Sequence, residues 1–305
     1  MTRRHRIAVV GCRRAPGAAV DDLYPDDDLP LLTSALEGLE ADVTAVAWDD
    51  DTVDWGGVDA AVVRSTWDSV DRPREFLDWA RRATAQTLLL NPVAAMAWNL
   101  DKTYLRELHD RGVPIVPTTW VTDDARWTPP ATEFVVKPSV SAGGRETARY
   151  QPDDADQARR HVRRLLAAGH TVMVQPYVAS VDEFGEAKLV HVDGALSHTV
   201  RVGALLEPGA GVVERPWDRE VSVESITPTP TELDAAEAVL AAALAVLGVP
   251  LLYARVDLVT APNGAHWLAE LELVDPMLFL GRSGPAAHRL AAAIVARCTE
   301  SRDRR

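Results

Sequence analysis

Short apolar runs alternate with amphipathic stretches through the first 95 or so residues of the chain. The apolar runs predict strands at residues 6–12, 42–48, 58–64 and 87–91. Between them, the spacing of apolar positions predicts helices at residues 29–39 and 73–82, the second with a Pro at its start. Strands that alternate with helices favour a parallel α/β sheet. No G-x-G-x-x-G run follows the first strand, so the fingerprint of a dinucleotide-binding domain is missing.

Beyond residue 98 the pattern changes to hairpins separated by single helices. The predicted order is helix 99–111, strand 115–121, a strand–turn–strand unit at 133–150, helix 153–168, strand 171–178, a hairpin at 186–202, helix 232–247, a hairpin at 251–276 and helix 285–298. Residues 203–229 are predicted to be irregular because they are rich in Gly and Pro. The fold class is therefore mixed α/β (α+β), and the chain divides into three predicted domains at residues 1–97, 98–178 and 179–305.

The last hairpin places four charged residues on one face. Asn-Gly at 263–264, between two alternating runs, predicts a two-residue loop. With that loop Asp257 lies opposite Glu270, and Arg255 lies opposite Glu272. Side chains alternate faces along a strand, so all four share a face. Two interpretations are open: a solvated face on which one Arg balances three acids, or carboxylates that hold a hard cation such as Mg²⁺.

A Gly-rich segment points to phosphate. In VVKPSVSAGG, Lys137 follows an apolar strand, and residues 139–144 form a small-residue loop. Glycine lets backbone N–H groups approach an anion closely, and Lys adds a point charge. The segment is not a Walker A loop, which has the pattern G-x-x-x-x-G-K-[ST]. On its own it is also compatible with an ordinary β-hairpin.

Composition narrows the possible partners and location. The 305-residue chain has a formal net charge of −13, which argues against nucleic acid as a partner. No apolar run reaches the roughly 20 residues needed to span a bilayer, and the N-terminus lacks the apolar core of a signal peptide. Two cysteines cannot form a disulfide framework or a zinc site by themselves. We therefore expect a cytoplasmic protein without membrane or nucleic-acid partners.

The order of these segments resembles the ATP-grasp superfamily from about residue 99 to the C-terminus. The resemblance rests on NLDKTYLRELHDRGVPIVPT, VVKPSVSAGG, VMVQPYV, GEAKLVHVDGALSHTVRV and YARVDLV with WLAELELVDP. The N-terminal region looks like the α/β domain that precedes this fold. Members activate a carboxylate as an acylphosphate with ATP and then let an amine or thiol attack it. They include D-alanine–D-alanine ligases, glutathione synthetases and O-ureido-serine cyclo-ligases.

The resemblance implies a role for each matching residue. The ATP phosphates are expected to bind Lys102 and Lys137, and the loop at 139–144, with Ser141, Gly143 and Gly144, to close over them. Adenine is expected to contact the backbone of Gln175, Pro176 and Tyr177. Ribose is expected to contact Asp182 or Glu183. On the reaction side the resemblance places the transferred phosphate on Arg201, the developing oxyanion on Arg255, and two Mg²⁺ ions on Asp257, Glu270 and Glu272. Mn²⁺ is expected to substitute for Mg²⁺. The family often has Asn where Glu272 stands, so this chain has an additional negative charge at the expected metal site.

Two loops are candidates for reading the substrate. One is RSTWD, which follows a strand of the first domain where an α/β sheet presents its ligand crevice; its members are Arg64, Ser65, Thr66, Trp67 and Asp68. The alternative is that this segment only caps helix 73–82. The other is GRSGP before the last helix, with Arg282, Ser283 and Gly284, of which Ser283 is expected to act in catalysis. The Arg residues of the two loops suit a carboxylate, Asp68 suits an amine, and Trp67 suits a pocket wall.

We therefore expect an ATP-dependent ligase that couples the carboxylate of a small amino-acid-like substrate to an amine. One alternative is an intramolecular cyclo-ligase of the O-ureido-serine type. A second is a non-catalytic nucleotide-binding module, against which the presence of Lys102, Lys137, Arg255, Asp257 and Glu270 counts. A homo-oligomer is left open.

Overall fold

Four parallel strands form the first sheet of the computed structural model, which describes residues 3–14, 19, 23, 26–214 and 221–303. Their order is β2-β1-β3-β4, and every pair is parallel. The elements are β1 Arg6–Gly11, α1 Asp28–Gly38, β2 Asp42–Ala47, β3 Ala60–Ser65, α2 Pro73–Thr84 and β4 Leu88–Leu90. The predicted parallel α/β architecture of this region is confirmed.

The next region begins with two short helices where the sequence predicted a single one. They are α3 Val93–Asn99 and α4 Tyr104–Asp110. The chain turns between them because the backbone N–H of Lys102 donates to the carbonyl of Ser139, at 2.8 Å, instead of continuing the helix. The side chain of Asp101 accepts from the N–H of Thr103 and starts the second helix. The predicted helix at 99–111 is therefore wrong at its N-terminal end.

The second sheet is antiparallel and has the order β5-β8-β6-β7. Its elements are β5 Thr119–Val121, β6 Phe134–Pro138, β7 Ala148–Tyr150, α5 Ala155–Ala167 and β8 Val172–Pro176. The apolar side of α5, with Ala158, Val162 and Leu165, packs against the sheet in one cluster. The Gly-rich loop connects β6 to β7 and so lies at the end of this sheet.

The third sheet is also antiparallel, with the order β11-β10-β9-β12-β13. Its elements are α6 Ser180–Phe184, β9 Glu186–Val192, β10 Ala195–Val202, β11 Val223–Ile226, α7 Pro230–Leu247, β12 Tyr253–Thr260, β13 His266–Glu272 and α8 Ala286–Asp303. Strand β11 lies in the segment predicted to be irregular, which is a correction. Helix α7 covers one face of the sheet, in a core with Leu189, Val256 and Leu271.

Two buried polar side chains, Asn99 and Tyr104, hold the free edge of β13 in place. Asn99 donates to the carbonyl of Leu271 and accepts from the N–H of Leu273, both at 2.8 Å. The hydroxyl of Tyr104 donates to the carbonyl of Leu271 and accepts from its N–H, again at 2.8 Å. Unpaired backbone groups in a buried edge are costly, so these bonds fix the strand that carries Glu270.

The loop of the last hairpin differs from the prediction, while the pairing of the charged residues agrees with it. The N–H of Ala261 donates to the carbonyl of Ala265, so the loop holds three residues and not two. A bulge between Asp257 and Leu258 absorbs the extra residue, because Leu258 pairs with Leu268. Beyond the bulge Asp257 pairs with Glu270, as predicted.

Helix α8 returns the chain to the first sheet and packs on α1. Leu290 and Ile294 of α8 lie in one core with Leu32 of α1 and Tyr253 of β12. This core joins the first and third sheets and brings the loops after β3 beside the segment that follows β13. Within the described residues no helix is both long and apolar enough to cross a bilayer.

Candidate active site

The charged face of the β12–β13 hairpin contains a buried carboxylate that is fully paired. The guanidinium of Arg255 holds Asp257 with two bonds, Nε to Oδ1 and Nη2 to Oδ2, both 2.8 Å. The same Nη2 also contacts the carboxylate of Glu272. Arg255 therefore lies between two acids on this face and neutralises part of their charge.

A lysine of the neighbouring strand completes this cluster. Lys188 of β9 pairs in register with Asp257, and its Nζ lies 2.6 Å from Asp257 Oδ2 and 2.8 Å from Glu186 Oε2. Burial alone would raise the pKa of Asp257, but Arg255 and Lys188 hold it below its ordinary value. Asp257 is thus ionised and tightly held.

Glu270 faces the other two basic side chains of the site. The Nζ of Lys102 lies 3.1 Å from Glu270 Oε1 and donates to the carbonyl of Ser141 at 2.6 Å. Burial lowers the pKa of Lys137, and the nearby carboxylate of Glu270 opposes this shift. The two lysines predicted to bind phosphate therefore lie on the same side of the molecule as the acidic face, one on the α3–α4 turn and one on β6.

Glu272 is affected by burial and by the other carboxylates of the hairpin face. Burial raises the pKa of Glu272 above its ordinary value, and the carboxylates of Glu270 and Asp257 add to this shift although Arg255 opposes it. Across the described residues, no three His, Cys, Asp or Glu side chains lie close enough together to hold a metal ion as they stand. The three carboxylates share a face, and each contacts a basic side chain.

The linker between the second and third sheets is tied to the second sheet. Gln175, which is 6% exposed, donates from Nε2 to Thr118 Oγ1 at 2.9 Å. The backbone N–H of Tyr177 donates to the carbonyl of Glu133, also at 2.9 Å. Pro176 is exposed between them. The segment predicted to read adenine therefore lies at the edge of the second sheet with its backbone anchored at Tyr177.

Asp182 is engaged by a neighbouring arginine. Arg149 donates to both of its oxygens, at 2.8 and 2.9 Å, and also to Glu133. The Arg149 guanidinium lies 3.4 Å from the centre of the Tyr177 ring. Glu183 is exposed. Of the two acids predicted to bind ribose, Asp182 is fixed by protein partners and Glu183 is accessible.

The Gly-rich loop is packed against two other parts of the chain. Gly144 has φ of +80°, and a Cβ there would lie 2.5 Å from Leu205 Cδ2, so the position requires glycine. Gly143 also has a positive φ. Arg145, next to the loop, donates to Asp71 of the first domain, with 2.9 Å between Nη1 and Oδ2. The predicted closing loop therefore spans the second sheet and the first domain.

The RSTWD loop divides into residues with protein partners and residues that reach the third sheet. Arg64 is 1% exposed and donates to the carbonyl of Pro276 at 3.0 Å and to Asp28 at 3.4 Å. Asp68 accepts from Trp48 Nε1 at 2.7 Å. Both side chains are therefore engaged by protein partners, whereas the sequence suggested contacts with a substrate for both. Ser65 is also buried.

Thr66 and Trp67 from the same loop contact Asp275, just beyond β13. Thr66 Oγ1 donates to Asp275 Oδ2 at 3.0 Å, and Trp67 Nε1 lies 3.4 Å from the Asp275 carbonyl. In the other predicted loop, Arg282 and Gly284 are exposed, and Ser283 is half-buried. The carbonyl of Arg282 accepts from Ser225 Oγ at 2.7 Å. This loop is therefore anchored through its backbone, and its guanidinium faces solvent.

A sequence comparison identifies the protein family. A cycloserine biosynthesis protein, DcsG, of Streptomyces lavendulae is 38% identical over 284 residues, which cover 89% of this chain and 94% of the relative. The chain belongs to the ATP-grasp superfamily. It is therefore an ATP-dependent ligase. Residues 7–91 also match the family described as D-cycloserine synthetase DcsG, N-terminal domain.

Solved ATP-grasp structures have the same fold. The crystal structure of D-cycloserine synthetase DcsG superposes with a TM-score of 0.84 at 37% identity, covering 96% of this chain and 99% of that one. A D-alanine–D-alanine ligase from Bacillus anthracis superposes at 0.67 with 13% identity, over 98% and 99% of the two chains. The predicted ATP-grasp fold with an N-terminal α/β domain is thus confirmed for this ligase.

Arg201 of this ATP-grasp ligase lies away from the charged face. It pairs with Ala187 in the sheet, whereas the neighbouring Val200 pairs with Lys188. Its Nη2 donates to Glu232 of α7 at 2.9 Å, on the face that α7 covers. The expected contact of Arg201 with the transferred phosphate does not agree with this placement. Sequence reasoning missed Lys188, although its position two residues after Glu186 marks it as facing the same side as that acid.

Glu232 stabilises the start of α7 and should matter for stability. It forms a reciprocal capping box with Thr229, in addition to its bond to Arg201. We expect Glu232→Ala to lower the free energy of unfolding by about 1–2 kcal/mol, as measured by urea denaturation. A variant as stable as the wild type would contradict this role.

The stabilisation by Glu232 should also depend on pH. Burial opposes ionisation of Glu232, but Thr229 and Arg201 lower its pKa below the ordinary value. A carboxylate with a lowered pKa stabilises the protein above its ordinary pKa, and this contribution is lost as the pH falls through the folded value. The stability difference between Glu232→Ala and wild type should therefore shrink in acid.

Proposed function

We propose that this ligase phosphorylates the carboxylate of a small amino acid and closes a ring with a nitrogen of the same molecule. The observation that carries the proposal is the similarity to DcsG, which extends along almost the whole of that protein. The fold alone, which peptide-forming ligases share, would not favour ring closure over joining two molecules. A substrate of the O-ureido-serine type, used in the cytoplasm, fits this proposal.

Each domain has a role in the proposal. Residues 1–97 contribute the loop after β3, residues 98–178 the lid with its Gly-rich loop, and residues 179–305 the charged hairpin face. The ATP phosphates would lie on Lys102 and Lys137, with Ser141, Gly143 and Gly144 closing over them. Adenine would lie against Gln175, Pro176 and Tyr177, and Glu183 is the accessible candidate for ribose. Exclusion of water by the lid would protect the acylphosphate from hydrolysis.

The hairpin face suits Mg²⁺ as the metal partner of ATP. Asp257, Glu270 and Glu272 offer the hard oxygen ligands that this ion prefers. Burial is the main cause of the raised pKa of Glu272, and the neighbouring carboxylates of Glu270 and Asp257 add to it. A cation on this face would reduce the repulsion between the three carboxylates. When bound, the metal would neutralise charge on the phosphates of ATP. Two ions are proposed, as is replacement by Mn²⁺.

The chemistry needs positioning and charge more than covalent help from the protein. A substrate carboxylate oxygen attacks the γ-phosphorus of ATP. The bond between this phosphorus and the bridging oxygen breaks, and ADP leaves. A nitrogen of the same substrate then attacks the acyl carbon, loses a proton, and phosphate leaves. With O-ureido-serine this nitrogen carries a carbamoyl group, which water must remove as ammonia and carbon dioxide to give cycloserine. Arg255 and Lys188, which both contact Asp257, would stabilise negative charge that develops in these steps.

Product analysis tests the proposal. The purified ligase is incubated with ATP, Mg²⁺ and O-ureido-D-serine, and ADP and cycloserine are measured. Parallel reactions contain O-ureido-L-serine or D-alanine. We expect ADP release together with cycloserine in the first reaction. Release of ADP together with a dipeptide would favour the joining of two molecules. Binding of ATP without release of ADP, whichever amino acid is added, would favour a non-catalytic nucleotide-binding module.

A further inference from the structure

We propose that Asp275 binds the ammonium group of the amino-acid substrate and so selects for amino acids. This inference rests on the proposed function. Asp275 lies three residues beyond Glu272, in the segment that leaves the charged hairpin. Arg255 contacts both ends of that segment: Glu272 through its carboxylate and Met277 through its carbonyl, the latter at 3.0 Å. Asp275 is therefore held at the border of the site where the carboxylate would be activated.

The first domain fixes the carboxylate of Asp275 from the other side. Thr66, which is fully buried, donates to Oδ2 at 3.0 Å, and the Trp67 indole lies against the backbone carbonyl. Arg64 anchors the next residue by donating to the carbonyl of Pro276. These contacts define the direction of the carboxylate. Within the described part of the chain, Oδ1 of Asp275 receives no hydrogen bond, and this oxygen remains for a ligand.

The charge of Asp275 also distinguishes it from its neighbours. Burial raises its pKa to about 6, against the opposing effect of Thr66 and Arg64. Among the described residues, no basic side chain lies within 4.0 Å of it, whereas Asp257, Glu270 and Glu272 each have such a partner. A half-buried carboxylate without a counter-ion is costly, and an ammonium group would supply the missing charge and a hydrogen bond.

Asp275 replaces Asp68 as the candidate acid for the amine. Asp68 is engaged by Trp48 and by Arg72, whose Nη1 lies 3.4 Å from its Oδ2. Asp275 instead stands between the loop after β3 and the hairpin, with one free oxygen. An ammonium bound there would leave the substrate's own carboxylate on the side of Arg255. The same substrate without its amine would lose this contact and leave Asp275 unpaired.

The test compares Asp275→Asn with wild type on O-ureido-D-serine and on its analogue without the amine, 3-(ureidooxy)propanoate. Asn keeps the shape and can still accept from Thr66, but it lacks the charge. A charge-assisted hydrogen bond is worth ~1.5–3 kcal/mol, which corresponds to a ~10–100-fold rise in KM for the amino acid. KM for ATP should be unchanged. With the analogue, which the wild type already uses poorly, KM should be the same for Asp275→Asn and for the wild type. Asp275→Glu, which retains the charge, should lose less than Asp275→Asn.

Asp78→Asn, on the exposed side of α2, is the matched control and should keep wild-type constants. Unchanged KM and unchanged preference over the analogue in Asp275→Asn would overturn the proposal. An equal rise in KM for ATP, with a lower thermal midpoint, would also overturn it by indicating a structural role. A calorimetric titration with O-ureido-D-serine separates the proposed role of Asp275 from the proposed function of the ligase. Binding that depends on Asp275 without turnover would support this inference while the proposed function fails, and absence of binding to wild type would overturn both.

Discussion

Glu270→Gln is expected to slow ADP formation by ~100-fold or more, because it removes a carboxylate from the charged hairpin face without changing its shape. Glu270 contacts Lys102, and both lie on the side of the molecule where the phosphates are proposed to bind. The amide of Gln cannot supply the negative charge that favours binding of the metal ion that accompanies the nucleotide. Steady-state ADP release at saturating ATP and substrate measures the effect.

Glu37→Gln on the exposed surface of α1 is the control for this change. It removes the same charge far from the hairpin and should release ADP at the wild-type rate. Circular dichroism of both variants checks that the fold is retained. ADP formation by Glu270→Gln within a few-fold of wild type would remove Glu270 from the proposed site.

Lys188→Met is expected to have an effect of similar size, also ~100-fold on ADP formation. Met fills much of the same volume, so the change removes mainly the charge. Lys188 is buried beside Asp257, and its amine is the nearest basic group on β9 to that carboxylate. Without it, Asp257 would lose one of two cations that keep it ionised, and the site would lose a group that can neutralise transferred phosphate.

Arg201→Met provides the matched comparison for Lys188→Met. The two basic residues lie on neighbouring strands but on opposite faces of the sheet. Arg201→Met should reduce stability through loss of its bond to Glu232 and leave the rate of ADP formation near wild type. The opposite ranking of the two variants would mean that the β9–β10 strands present their other face to the nucleotide.

The β12–β13 hairpin shows which features local sequence determines and which it does not. Alternation and the Asn-Gly signal were enough to pair Asp257 with Glu270, because side-chain period and turn chemistry are local properties. The loop length was wrong, and a bulge at Leu258 compensated for it. A bulge depends on packing against the rest of the sheet, and no local pattern marked this one.

Other features depend on contacts between distant segments and were therefore missed. The break between α3 and α4 arises because Lys102 pairs with Ser139, 37 positions later, in competition with a helix that local propensity favours. Lys188 acquires its importance from Asp257, which lies 69 residues away. Arg64 looked like a substrate ligand because it ends a strand, but Asp28 and Pro276 engage its guanidinium. Side-chain partners of this kind become visible only in three dimensions.

The location of the metal-bound nucleotide is tested most directly by anomalous scattering. Crystals are grown with Mn²⁺ and a non-hydrolysable ATP analogue, and an anomalous difference map is calculated at the manganese edge. We predict a peak on the β12–β13 face, coordinated by oxygens of Glu270 and Glu272 and by the phosphates of the analogue, with Asp257 beside it. A bound analogue whose manganese peak lies away from these carboxylates would contradict the account.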